Sequence, residues 1–342
     1  MAKMPEIFNR YQPHIEQELK SLFEGRDLRL YNMMKYHMGW IDSQGETSRN
    51  GNNGKMLRAT LCLLASESMS GDFTKALPVS AAIELIHNCS LVHDDIQDDD
   101  EMRRHRPTVW KIWGKPQAIN AGSALKLLAN LSVLKLNDLG IPREKQVEIF
   151  DILDTSCLEM IEGQYMDIDF EGRDIISVEE YLKMIEKKTS ALISGALRVG
   201  AALHLDNGKL EAFEKFGKYL GIAFQITDDI LGIWGNDNKT GKPQGNDIRK
   251  RKKSLPIVLC LQESDEKGKK QLLKIYRKNK VSDRGVAVVL KNLEEVGARY
   301  FCQRQAKKYY EMAISEIEKL PIKGQFPSDY RQLSEFLIKR DF

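Results

Sequence analysis

Apolar residues recur at three-and-four spacing along most of the chain. The pattern predicts helices over Ala59–Met69, Ala76–Asp95, Gln117–Leu136, Gln146–Gln164, Val178–Leu203, Leu210–Ile233 and Gly285–Glu318. Runs alternating in the β manner are absent. Glycine and proline fall between the periodic segments, at Gly39–Gly54, Gly140–Pro142 and Gly235–Gly245, where breaks are expected. The predicted class is all-α, a single large helical bundle. No repeat at solenoid periods is present. Gly39–Gly54 is the most flexible-looking stretch, but too little precedes it for a separate domain, so residues 1–342 read as one domain.

Composition narrows the picture only slightly. The 342 residues are 42% hydrophobic and 30% charged, a soluble globular balance. Against 52 basic residues stand 49 acidic ones, a net charge of +3, so any basic function is local and no nucleic-acid partner is expected. The five cysteines are scattered and lack C-x-x-C spacing, which argues against a disulfide framework and a zinc site. The N-terminus has no apolar run of the secretory kind, and no stretch approaches the ~20 apolar residues of a membrane span. The expected location is cytoplasmic.

Two carboxylate clusters carry the candidate chemistry. In LIHNCSLVHDDIQDDDEMRRHRPTVW, Asp94 and Asp98 lie at i, i+4 on one helix face, with Asp95 alongside. Like charges at that spacing repel, and a divalent cation relieves the repulsion. Oxygen-only ligands suit Mg²⁺, which typically bridges one or two carboxylates to substrate phosphates. Arg103, Arg104 and Arg106 follow directly, and guanidinium forks grip phosphate oxygens. Metal-binding acids beside phosphate-binding arginines suggest a diphosphate site; the competing reading is a surface salt-bridge network. The second cluster, Asp228-Asp229, ends another apolar run and precedes Lys239, Lys242, Lys250, Lys252 and Lys253. Two such clusters suggest two ends of one site.

In this order and spacing the motifs resemble the trans-isoprenyl diphosphate synthases, the polyprenyl synthetases of the geranylgeranyl and longer-chain type. They are Gly54-Lys55-x-x-Arg58, His87, Asp94-Asp95-x-x-Asp98 with Arg103-Arg104, Gly163-Gln164-x-x-Asp167, Lys188-Thr189, Phe224-Gln225 before Asp228-Asp229, and Gly241-Lys242-Pro243 leading to Asp247, Lys252 and Leu255-Pro256. The resemblance implies an isoprenoid-synthase bundle with a central cavity, a homodimer, and three Mg²⁺ ions per site. It implies that Asp94 and Asp98 ligate two ions with Asp95 in support, and that Asp228 ligates a third. Arg103, Lys188 and Lys252 would hold the allylic diphosphate. Lys55, Arg58, His87 and Arg104 would hold isopentenyl diphosphate, with Thr189 and Gln225 beside the cation. Loss of pyrophosphate would then expose an allylic carbocation to the double bond of isopentenyl diphosphate.

Several positions depart from the pattern. Gly232 replaces the last aspartate of the second cluster. Arg251 and His105 stand where glycine is usual, Ala59 where proline is usual, and Ser123 replaces a frequent aspartate. Product length should depend on the face leading up to Asp94. There Cys89 and Ser90 are small, and Ile86 and Ile83 would form a floor, each turn rising about 5.4 Å, close to one isoprene unit. The expected product is longer than C15, with geranylgeranyl diphosphate favoured over farnesyl or longer chains. A class I terpene cyclase shares the metal logic but has no use for a second diphosphate pocket. A non-catalytic partner subunit would not need both aspartate pairs.

Overall fold

The computed structural model describes residues 4–48, 54–235, 245–278 and 280–338. They form two compact units, one of Glu6–Thr155 and Gly195–Leu210, the other built mainly from Ser156–Ser194 and from Glu211 onward.

The first unit contains α1 (Glu6–Ser21), α2 (Arg29–His37), α3 (Leu57–Ser70), α4 (Leu77–Gln97), the strands β1 (Met102–Arg103) and β2 (Arg106–Pro107), α5 (Val109–Trp113), α6 (Lys115–Leu134) and the start of α7 (Arg143–Gly172). Helix α4 is apolar nearly all round, which marks a helix enclosed by others. Val79, Ala81, Ala82, Ile83, Leu85 and Ile86 are buried, and α6 and α3 are its main neighbours. Pro78 sits in the first turn, where a missing N–H costs nothing. The small hairpin β1–β2 is an element that the periodicity does not predict. Its strands are two residues each, too short to show alternation.

The second unit contains the end of α7, α8 (Val178–Ile185), part of α9 (Ala191–Ala202), α10 (Glu211–Trp234) and the helices that follow. Ser177 and Glu180 start α8 with a reciprocal capping box. The predicted helix Val178–Leu203 is interrupted by a π-helical turn at Glu186–Ser190. Gly285–Glu318 is likewise two helices, Asp283–Glu295 and Ala298–Ile317, because Gly297 takes φ +65° between them. Helix α10 packs mainly on Ala298–Ile317. Phe213, Phe216, Ile226 and Ile230 are fully buried, and the Phe216 ring meets Tyr330 edge-on at 5.3 Å between centroids.

Candidate active site

The two aspartate pairs share one design. In the first, at the end of α4, the Asp94 side chain is 24% exposed and stands 3.5 Å from the Arg103 guanidinium. Its neighbour Asp95 is 2% exposed and accepts a 2.7 Å hydrogen bond from Arg103 Nε. Burial pushes the Asp95 carboxyl up to about 6, against the pull of Arg103. Asp98 caps the helix, and its backbone N–H donates to the Asp94 carbonyl at 2.9 Å.

The chain then turns back through Asp99, at φ +51°, into the hairpin. Thr108 Oγ1 and Trp110 Nε1 pin it by donating to the Asp100 carbonyl at 2.9 and 3.0 Å. Arg104 and His105 form its two-residue turn with φ +50° and +63°, both left-handed. This geometry accounts for the glycine usual at 105. It also separates the two arginines. Arg103 serves the aspartates, while the Arg104 guanidinium lies against the Cα of Gly54, where a side chain would collide with it. Arg106 takes a structural place: it stacks 4.0 Å from the Tyr36 ring centre and donates to the Ile41 carbonyl at 2.7 Å.

Arg58, at the start of α3, reaches His87 on α4, with Nη1 3.2 Å from Nε2. A guanidinium only donates, so Nε2 accepts and the ring proton belongs on Nδ1. Burial, reinforced by Arg58, Arg104 and Arg103, drives the His87 pKa well below its usual value, so the imidazole is neutral. Lys55, three residues before Arg58, is exposed. Thus Gly54, Arg58, His87 and Arg104 are brought together, as the motifs require. Ile83 and Ile86 are buried, and Cys89 and Ser90 half-buried, on the same helix.

In the second pair, on α10, Asp228 is partly exposed and Asp229 is 4% exposed. Asp229 is held by three donors: the Tyr181 hydroxyl at 2.5 Å, Gln225 Nε2 at 3.0 Å and the Leu255 N–H at 3.0 Å. Burial still pushes its carboxyl up to about 7. Thr189 donates to Gln225 Oε1 at 2.8 Å, orienting the amide. Lys188 and Thr189 belong to the π turn, and Lys188 Nζ lies 2.5 Å from Asp167. Any side chain at Gly163 would strike the Lys188 backbone, and any at Gly221 would strike Ser190. The Gly163-Gln164-x-x-Asp167 motif therefore works as a close approach followed, one turn later, by an anchor for Lys188.

Lys252 is exposed, and its N–H donates to the Asp247 carbonyl at 2.9 Å. Lys239 and the Gly241-Lys242-Pro243 motif lie outside the described residues. Sequence reasoning missed Tyr181, Glu84 and Asn88. A charged residue inside the apolar stretch AAIELIHN was the available signal for Glu84.

Among the described residues, no three His, Cys, Asp or Glu side chains converge into a ready-made metal cage. Mg²⁺ does not need one, since it keeps waters and borrows substrate phosphate oxygens. The donor set fits that mode, because each pair anchors its second carboxylate in protein and leaves its first partly exposed. Among the described residues, no helix is long and apolar enough to cross a membrane.

Residues 46–293 match the family described as polyprenyl synthetase. The chain is 37% identical to a geranylgeranyl diphosphate synthase of Mycobacterium tuberculosis over 318 residues, covering 91% of this chain and 87% of that protein. It is 33% identical to a (2E,6E)-farnesyl diphosphate synthase of Mycobacterium bovis over 330 residues, covering 95% and 90%. Its fold is similar to the crystal structure of geranylgeranyl pyrophosphate synthetase from Pyrococcus horikoshii, with a TM-score of 0.89, 34% identity and coverage of 98% and 99%.

Proposed function

The chain belongs to the polyprenyl synthetase family, and from that premise we propose a Mg²⁺-dependent condensation of isopentenyl diphosphate with an allylic diphosphate, giving a product longer than C15. Membership makes it an isoprenyl diphosphate synthase, a trans-prenyltransferase. The product length, the metal and the residue roles are part of the proposal.

The observation that carries the reading is the division of labour in each aspartate pair. Asp95 and Asp229 are spent on Arg103 and on Tyr181, Gln225 and Leu255. Asp94, Asp98 and Asp228 are the partly exposed carboxylates that would hold Mg²⁺, three ions in all. Bound Mg²⁺ would offset the charge of the departing pyrophosphate. Arg103, Lys188 and Lys252 bind and orient the allylic diphosphate. Lys55, Arg58, Arg104 and the neutral His87 hold the head group of isopentenyl diphosphate. Fixing both substrates turns a bimolecular attack into a nearly unimolecular one. The released pyrophosphate takes the final proton, so no protein base is needed.

Geranylgeranyl diphosphate is the favoured product. Its support is the small pair Cys89 and Ser90 ahead of Asp94, with Ile86 and Ile83 buried further back on α4. Relatives of both the farnesyl and the geranylgeranyl kind leave the choice to experiment. A homodimer is also proposed. Ile119, Leu127, Leu131 and Leu134 lie 48–63% exposed along α6, an apolar stripe of the kind that association covers. Sedimentation equilibrium of the wild type and Leu127→Glu tests it. A cytoplasmic location and action as a single domain over residues 1–342 complete the proposal.

The deciding experiment supplies labelled isopentenyl diphosphate with dimethylallyl, geranyl or farnesyl diphosphate, with and without Mg²⁺, and separates the products by chromatography. Consumption of both substrates with a product beyond C15 is expected. A sole C15 product overturns the product assignment, and no consumption of isopentenyl diphosphate overturns the function.

A further inference from the structure

Glu84 lies on α4 one turn before His87 and Asn88, and is 1% exposed. The Asn88 side-chain amide donates to Glu84 Oε1 at 3.1 Å and to its carbonyl at 2.8 Å. Asn88 also stands near His37 of α2. The second carboxylate oxygen, Oε2, is buried with no hydrogen-bond partner among the described residues. Burial pushes the Glu84 carboxyl above its usual range, and the charges that pull it back toward the ionised form are Arg58, from α3, and Arg104, from the hairpin turn.

A buried carboxylate with an unpartnered oxygen lowers stability, so packing alone does not account for it. Its setting does. Arg58 and Arg104 both act on the same His87 ring, and Arg104 is mostly withdrawn from water against Gly54. Burial and the neighbouring Arg103 disfavour the ionised form of Arg104. Glu84 is the first anion that offsets this and favours the ionised Arg104, ahead of Asp95. Asn88 fixes its position through two hydrogen bonds.

We infer that Glu84 is a positioning residue for isopentenyl diphosphate, acting through Arg58 and Arg104, whose guanidinium groups its buried charge holds in place for the incoming head group. The inference rests on the proposed function of that arginine pair. Glu84 touches no substrate atom in this role. Held ionised by the two arginines, it keeps the pocket assembled before the diphosphate arrives, and the diphosphate then supplies the remaining counter-charge.

Glu84→Gln keeps the shape and an acceptor for Asn88 and deletes only the charge. Three readouts on the full chain test it: calorimetric binding of isopentenyl diphosphate alone, KM for each substrate, and thermal unfolding. The Kd and KM for isopentenyl diphosphate should rise about tenfold, the scale of one charge contact in a partly shielded pocket. The KM for the allylic substrate should stay within about twofold, and the melting temperature should not fall. Glu84→Asp should restore part of the affinity. An unchanged Kd, or equal losses for both substrates, overturns the inference while leaving the function intact. A wild type that neither binds nor consumes isopentenyl diphosphate overturns the function, and the inference with it.

Discussion

The carboxylate of Asp247 occupies the space that a side chain on Gly232 would need. Gly232 is the position where the second cluster departs from the family pattern, and Asp247 brings a carboxylate to the same place from a short helix beyond α10. The carbonyl of Asp247 also accepts the Lys252 N–H. Restoring the aspartate by Gly232→Asp should therefore impair the enzyme. Asp247 is pushed aside, Lys252 shifts with it, and overpacking lowers stability by about 1–3 kcal/mol. Turnover should fall about tenfold. Adding Asp247→Gly to Gly232→Asp should recover much of the loss, because the carboxylate then comes from 232. Full activity of the single variant in a Mg²⁺ titration would show that Asp247 does not fill this role.

Two other departures are backbone matters. His105 and Arg251 hold φ at +63° and +58°, and both stand where glycine is usual. A left-handed non-glycine residue costs roughly 1–2 kcal/mol. Both side chains are exposed, so their removal loses little packing. His105→Gly and Arg251→Gly should each raise the urea midpoint without changing its slope, by about 1 kcal/mol of stability. Arg104, with φ +50° in the same turn as His105, is a different case, because its side chain is committed to the pocket. A lower midpoint for His105→Gly would show that the turn is unstrained.

Acidity should weaken the first unit through His37. Burial, with help from Arg103, Arg104 and Arg106, drives its pKa from 6.5 down to about 3. The unfolded chain thus binds a proton that the folded one refuses. Stability from this group is complete above about pH 6.5 and is lost as pH falls from 6.5 toward 3. The slope is at most about 1.4 kcal/mol per pH unit, so pH 5 should cost up to about 2 kcal/mol. His87, lowered for the same reason, adds to the loss. Urea unfolding at pH 7 and pH 5 checks this. His37→Gln should show a visibly smaller pH effect, and an identical one would place the acid sensitivity elsewhere.

Much of this was legible in the residues. The helical period located α3, α4, α6, α7 and α10, because each buries a continuous apolar face. The motif order placed Arg58, His87 and Arg104 together before any geometry was known. What stayed hidden depends on contacts between distant segments. The period-3.6 signal runs straight through the π turn at Glu186–Ser190, since one inserted residue barely shifts an apolar stripe. The hairpin is too short to alternate. The anchoring of Asp229 by Tyr181, 48 residues away in sequence, leaves no local trace. Nor does the filling of the Gly232 gap by Asp247.

Product length is where a single side chain should matter most. Ser90, one turn before Asp94, is half-buried, and its hydroxyl donates to the His87 carbonyl at 2.7 Å. That bond stays within α4, so the side chain presents little bulk. Behind it the buried face continues through Ile86 and Ile83, at 1% and 0% exposure. If the growing chain runs along this face, each added isoprene advances it by about one helical turn. Ser90→Phe sets a ring at the first turn and should stop growth near C15 while leaving the first condensation close to the wild-type rate. Enlarging Ile86 to Phe instead should stop growth one unit later. Chromatography of products from labelled isopentenyl diphosphate reads both. An unchanged product from Ser90→Phe would mean that the chain grows along a different face.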